Sequence, residues 1–147
     1  MSATETVRLS ELIQALELKN IAPMQMASRR LGDPPPQGSE IQLGWNQALA
    51  DGDPVATSPD VRVFRPKYEF TVKYGGAPFF DQVSVFVVAF RLKDRRSFDR
   101  LWADETLRTV FVERQIQRTL WPIFRQHVLD GMTRLAMPPV TLSLIHI

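Results

Sequence analysis

The chain has 147 residues, 44% of them hydrophobic and 23% charged, with a formal net charge of +2 and no cysteine. That is the size and composition of one soluble domain with a substantial core. Disulfides, thiolate catalysis and cysteine-ligated metals are excluded, and so small a net charge does not by itself call for a polyanionic partner.

No apolar run approaches the ~20 residues that span a bilayer, and MSATETVRLSEL lacks the basic flank and apolar stretch of a signal peptide. A cytoplasmic protein that does not insert into membranes is expected.

Taken in order, Thr6 or Ser10 followed by Leu9, Leu12, Ile13 and Leu16 reads as a short amphipathic helix. From Asn20 to Arg30, Met24 and Met26 alternate with Gln25 and Ala27, which predicts a strand; Pro23 makes it an edge or bulged one. GDPPPQGS, Gly32 to Ser39, is a loop with polyproline character. Ile41, Leu43 and Trp45 alternate with polar or small residues as a half-buried strand running toward Leu49, and Ala50 to Asp60 reads as a turn or loop. Val61 to Tyr74 is a strand broken or bulged at Arg65-Pro66. After the Gly75-Gly76 turn, Val83 to Phe90 is apolar on both faces, as for a strand covered on both sides.

The C-terminal third is helical. Leu107, Val110, Phe111, Arg114 and Arg118 keep helical spacing, and Ile123, Phe124, Val128, Met132 and Leu135 form one apolar stripe. Pro122 either starts a second helical segment or kinks a continuing one, and Pro138-Pro139 stop the helix. Strands first and helices last, with short connections, give an α+β fold: a four-stranded antiparallel sheet with a long broken helix pair packed on one face. Leu142 to Ile147, LSLIHI, is what the DNA string CTGTCTCTTATACACATC encodes, a common transposase sequencing adapter. These residues are set aside, and the natural chain is expected to be cut at about Thr141.

Catalytic signatures are missing. There is no G-x-S-x-G, P-loop or G-x-G-x-x-G, and His127 is the only histidine outside the set-aside tail. No metal or other cofactor is expected. Asp99, Asp104 and Glu105 near Arg95 and Arg100 read as a solvated helix entry or cap. The Arg91–Arg100 cluster is interleaved with Asp94 and Asp99, the pattern of a salt-bridged face rather than a phosphate track.

Leu120-Trp121-Pro122-Ile123-Phe124-Arg125 and Met137-Pro138-Pro139-Val140, with this element order, resemble the SecB family of export chaperones. The element order matches over most of the chain and the specific motifs over Arg114 to Val140. The resemblance implies a SecB-like fold and a homotetramer, a dimer of dimers. It also implies an ATP-independent holdase that wraps unfolded polypeptide clients along apolar grooves. Adaptable and aromatic side chains suit such a surface, so Met24, Met26, Trp45, Phe79, Phe80, Met132, Leu135 and Met137 are the expected client contacts. Phe111, Ile116, Leu120 and Trp121 are expected at the subunit interface. The acidic sheet residues that dock the translocase motor in the family are replaced by Asn20 and Met24, and Ser84 to Ala89 carries no carboxylate. Motor docking is therefore not expected, and a toxin–antitoxin-associated member suits the residues better. An oligomeric scaffold of the same fold without chaperone activity, or a weak nucleic-acid binder, are the alternatives.

Overall fold

A computed structural model describes residues 2–49 and 53–138. The order is α1 (Ala3–Gln14), β1 (Leu16–Arg30), β2 (Gln42–Leu49), β3 (Val55–Ser58), β4 (Val61–Phe64), β5 (Pro66–Tyr74), β6 (Ala77–Leu92), α2 (Arg95–Trp102), α3 (Glu105–Phe111), a π-helical turn (Val112–Ile116) and α4 (Gln117–Arg134).

Helix α1 begins earlier than Thr6. Ser2 caps it, its hydroxyl accepting from the Glu5 N–H while the Glu5 carboxylate reaches back to the Ser2 N–H. This capping box satisfies two otherwise unpaired donors. The expected Leu16 is not in the helix but starts β1.

The sheet is antiparallel throughout and has six strands rather than four. The extra two have local causes. Arg65 separates β4 from β5, with Pro66 as the first residue of β5, a position that needs no ladder donor. Val55–Ser58 pairs with β4 across the Pro59-Asp60 turn, a strand hidden in a stretch rich in turn residues. Any cross-section is still four strands wide. β6 lies beside β1 on one edge, while its other edge pairs first with β5 and then with β4. Outside those stand β2 and β3.

Phe80, Gln82, Ser84, Phe86 and Val88 of β6 share the face covered by helix, and all are buried. The opposite face carries Val83, Val85 and Val87, flanked by the pairs Arg29–Asp81 and Lys67–Glu69. Only Val85 is fully buried there.

Asp94 and Asp104 cap α2 and α3; of the residues expected at a helix entry or cap Asp104 is one, while Asp99 lies inside α2, and Asp104 accepts from the N–H groups of Thr106 and Leu107 and pairs with Arg8. The helix from Glu105 to Arg134 is continuous. Its irregularity is the π turn, where the Gln117 N–H reaches the Val112 carbonyl, and Pro122 sits inside α4 without ending it. The expected helix pair is thus one helix with a widened turn. It stops before Pro138. Met137 N–H bonds the Met132 carbonyl at 2.8 Å and Ala136 N–H the Thr133 carbonyl at 3.2 Å, with Ala136 at φ 55°. That is a Schellman ending. Pro139 and Leu142–Ile147 lie outside the described residues.

Several expected surface residues are instead in the core. Phe80 faces the helices, and Phe79 is covered where the chain leaves β1, the Leu31 N–H bonding its carbonyl at 2.9 Å. Met132 continues the Phe124–Val128 stripe under α4. Met137 is drawn in because the Schellman ending packs its last residue against the helix's final apolar turn. The four residues assigned to the subunit interface are likewise buried inside the chain. Phe111 closes an aromatic cluster with Phe64, Phe90 and Trp102, Trp121 packs on Trp45 and Phe124, and Ile116 and Leu120 join the same core.

Candidate functional site

The long helix crosses the sheet, with Trp121 on Trp45 of β2, Phe124 on Tyr68 of β5, His127 on Phe86 of β6 and Gly131 against Ser28 of β1, and its two flanks differ. On the β2 side a groove of about 900 Å³ opens between Trp45, Asn46 and Gln47 and the helix residues Glu113, Arg114, Gln117, Arg118 and Pro122. Those helix residues recur at steps of three to four, so they form a single wall. A second hollow of about 360 Å³ shares Gln47, Glu113 and Gln117 and extends the groove to Trp102, Glu105 and Arg108. The volume is at the upper end for ligand sites.

Indole rings mark both ends. Trp45 is half-buried and packs on Trp121 with ring centroids 5.3 Å apart, and Trp121 in turn meets Phe124 at 6.0 Å. Trp102 stacks on Phe98 at 5.4 Å and meets Phe64 edge-on at 5.5 Å. Amphipathic rings so placed offer large contact area at small entropic cost. Gln47 Oε1 and Trp102 Nε1 are buried with no hydrogen-bond partner. Arg114 and Arg118 are exposed and make no ion pair among the described residues.

The other flank faces β1. Ile13, Leu16, Leu18, Phe90, Phe111 and Leu120 line an apolar hollow of about 200 Å³ there. Leu18, Met24 and Met26 are 48%, 52% and 45% exposed. Met26 and Leu135 line a further hollow of about 220 Å³ with His127 and Asp130. Of the eight expected client contacts, the structure leaves Met24, Met26, Trp45 and Leu135 at least partly accessible. Trp45 lies on the opposite flank from Met26 and Leu135.

Between sheet and helix runs a polar seam that sequence reasoning missed. Ser28 bonds Gln82, the Gln82 amide donates to Ser84 Oγ at 3.1 Å, and Ser84 Oγ lies 3.2 Å from His127 Nδ1. His127 also stacks on Phe86 at 5.3 Å, and burial holds its pKa below the usual imidazole value against the opposing charge of Asp130. A serine beside a histidine suggests a nucleophile and base. Ser84 is fully buried in the sheet, so the pair joins the layers instead. Among the described residues no three His, Cys, Asp or Glu side chains converge as metal ligands. The arginine cluster is engaged in ion pairs: Arg91 with Glu17, Arg100 with Glu11 and Arg95 with Asp99. Among the described residues no helix is long and apolar enough to cross a membrane.

No protein-family model matches the chain, and no curated protein matches its sequence. Among solved structures it is similar to a Mycobacterium tuberculosis SecB-like chaperone, solved in complex with a ChAD peptide from the HigA1 antitoxin. The two share 22% identity, and the match covers 94% of this chain and 96% of that one at a TM-score of 0.69. A Streptococcus agalactiae protein of unknown function, 14% identical over 88% of this chain and 97% of that one, reaches a TM-score of only 0.41. The expected α+β architecture and the SecB-like resemblance hold at the level of fold, with β3 added and the foreseen Val61–Tyr74 strand divided into β4 and β5. The chain has the SecB-like fold.

Proposed function

We propose that this chain is an ATP-independent chaperone that holds unfolded or partly folded polypeptide in the groove between β2 and the long helix. The observation that carries the reading is the groove itself: an aromatic floor at each end, Trp45 on Trp121 and Trp102 on Phe98, joined by polar side chains of both charges, among them Gln47, Gln117, Glu113 and Arg114. Such a lining takes varied sequences, because ring faces contact many side chains without demanding one shape. The peptide bound to the M. tuberculosis chaperone supports polypeptide as the ligand class, and an antitoxin segment is a fitting client. Translocase docking has no acidic sheet patch to serve it; Asn20 and Met24 occupy the β1 positions where carboxylates were expected.

The chaperone acts as an oligomer in the cytoplasm, as a tetramer in the family's manner. The surface that suits a second copy is the β1 flank, where Leu18 lines the apolar hollow over Phe111 and Leu120 and Met24 and Met26 stand exposed farther along the strand. Phe111, Ile116 and Leu120 line that hollow from the helix side, while Trp121 packs on Trp45 on the opposite flank. Of the expected client contacts Trp45 lines the proposed groove, while Met24, Met26 and Leu135 lie on the other flank.

The test is light scattering of an aggregating client with and without the protein, after sizing by chromatography with multi-angle scattering. Suppression near a stoichiometric ratio, weakened by Trp45→Ala, is the expected result. An oligomer that leaves aggregation unchanged would falsify the chaperone reading and leave a scaffold.

A further inference from the structure

The face of β6 under the long helix is apolar at both ends and polar in the middle: Phe80, then Gln82 and Ser84, then Phe86 and Val88, all buried. The helix is set down on that polar stretch. Gly131 comes so close to Ser28 and Gln82 that a Cβ there would collide with them. One turn earlier, on the same helix face, His127 brings Nδ1 within 3.2 Å of Ser84 Oγ. Ser28 of β1, Gln82 and Ser84 of β6 and His127 of α4 thus form one hydrogen-bonded line that ties two strands to the helix.

The line has a direction. The Val83 carbonyl can only accept, so the Gln82 amide nitrogen is the end that bonds it at 3.2 Å and also donates to Ser84 Oγ at 3.1 Å, while Oε1 accepts from Ser28. Ser84 keeps its own hydrogen to give. Among the described residues its bonded acceptor is His127 Nδ1, which assigns the neutral ring with hydrogen on Nε2. Tyr68, opposite Ser84 on β5, is no second outlet in this arrangement, because its buried hydroxyl makes no hydrogen bond. A proton added to the ring goes onto Nδ1, the nitrogen with the free lone pair. Two hydrogens then face each other across the Ser84–His127 contact, and a buried hydroxyl loses its acceptor.

The charges around the ring favour a way out. Asp130, held by Gln126 at 2.9 Å, and Arg134 share with His127 the hollow of about 220 Å³ at the β1 flank. There β1 contributes Met26 and Ser28, β6 sets Phe86 against the ring, and Arg30 is taken up by the Leu135 carbonyl and Asp33. An imidazolium is drawn from the seam toward Asp130, with Arg134 opposing in part. Burial of the ring delays that charge until the pH is below the ordinary imidazole range.

We infer that this seam is a pH-sensitive latch: it pins the long helix to β1 and β6 while His127 is neutral, and lets that part of the helix lift when the ring is protonated, slackening the groove wall carried by the same helix. The latch itself is independent of the chaperone reading; its effect on client binding rests on that reading.

Long-range proton–nitrogen NMR of the His127 ring, assigned by its contact with Phe86, is expected to place the hydrogen on Nε2 at neutral pH. Hydrogen on Nδ1 overturns the latch, and this measurement needs no variant. His127→Asn keeps an acceptor near the Nδ1 position and cannot titrate. Hydrogen exchange, corrected for its intrinsic pH dependence, is then compared between about pH 7.5 and about pH 5. Protection of residues 124–134 is expected to fall at least about fivefold in the wild type and less than about twofold in the variant, with residues 66–74 unchanged in both. Equal losses in the two proteins, or a loss shared by 66–74, overturn the latch. The groove is read with a rhodamine-labelled peptide of leucine, threonine and asparagine, which has no side chain that titrates in this range. Its affinity is expected to fall at least about fivefold over the same interval in the wild type and to stay level in His127→Asn. A loosened helix with unchanged affinity overturns the control of the groove. No binding at any pH rejects the chaperone reading, and exchange alone then decides the latch.

Discussion

Gly131 is where α4 comes closest to β1. A Cβ there would collide with Ser28 Oγ and lie 2.8 Å from Gln82 Oε1 and 2.9 Å from Ser28 Cβ. Gly131→Ala therefore sets two effects against each other. Alanine favours a helix interior over glycine by about 1 kcal/mol. Against that, the added methyl must push the helix off the Ser28–Gln82 part of the seam, and overpacking of this kind costs about 1–3 kcal/mol. Ser28 and Gln82 are tied to each other and Gln82 is fully buried, so neither can swing aside. The clash wins, with a net loss of up to about 2 kcal/mol, or up to about 8 °C in Tm for a chain of this size. The assay is urea unfolding followed by the fluorescence of Trp45, Trp102 and Trp121, at fixed protein concentration because association would shift the midpoint. Ser28→Gly removes two of the three crowded atoms. In a double-mutant cycle it should recover at least about 0.5 kcal/mol beyond additivity. A Gly131→Ala protein as stable as the wild type, with no coupling to Ser28, would mean the helix rides higher over β1 than described here.

Ala136→Gly relieves a left-handed φ of 55° that alanine tolerates poorly, and should stabilise the protein by about 0.5–1 kcal/mol in the same urea assay; destabilisation would rule out the Schellman ending. The Tyr68 hydroxyl is buried without a partner, and desolvation pushes its pKa well above the ordinary phenol value. Tyr68→Phe keeps the ring stacked on Phe124 and should gain about 1 kcal/mol, whereas a loss would reveal a hydrogen bond to that hydroxyl. His127 has a folded pKa below its unfolded value of about 6.5, so the unfolded chain binds more protons and stability present above that pH is lost as pH falls through the folded value. Tm should therefore drop between about pH 7.5 and about pH 5.5 in the wild type and less in His127→Asn; parallel profiles would exclude the histidine as the cause.

The order of elements follows from local chemistry and was legible in the residues. The alternation of Met24 with Met26 and of Leu43 with Trp45, the break at Arg65-Pro66, the Gly75-Gly76 turn and the Phe124–Val128–Met132 stripe each announce their element through period and backbone restriction. Where local signals conflict, reading failed. Val55–Ser58 hides among Asp53, Pro54 and Pro59, because so short a strand is decided by pairing with β4 and not by its own composition. The ending of α4 looked like the work of prolines, but main-chain bonds from Ala136 and Met137 accomplish it one turn earlier.

The groove shows the same division. Trp45 was legible as an aromatic anchor, yet Gln47 and Gln117 carry no signal, and the helical spacing of Arg114 and Arg118 does not say which way they face, since polar residues on a helix read alike whether they face a cleft or bulk water. Met132 and Met137 differ from Met24 and Met26 in nothing a sequence displays. The first pair is buried under the helix and the second stands at a sheet edge. Sequence by itself determined most of the secondary structure and the α+β class, because those rest on period, turn chemistry and hydrophobic content, while the Leu120–Arg125 motif carried the family resemblance. Only the tertiary structure decided which apolar residues are spent on the core and which residues of β2 and the long helix meet at the groove. Those facts depend on contacts between residues far apart in the chain, such as β2 with β5 and the helix wall with Trp45.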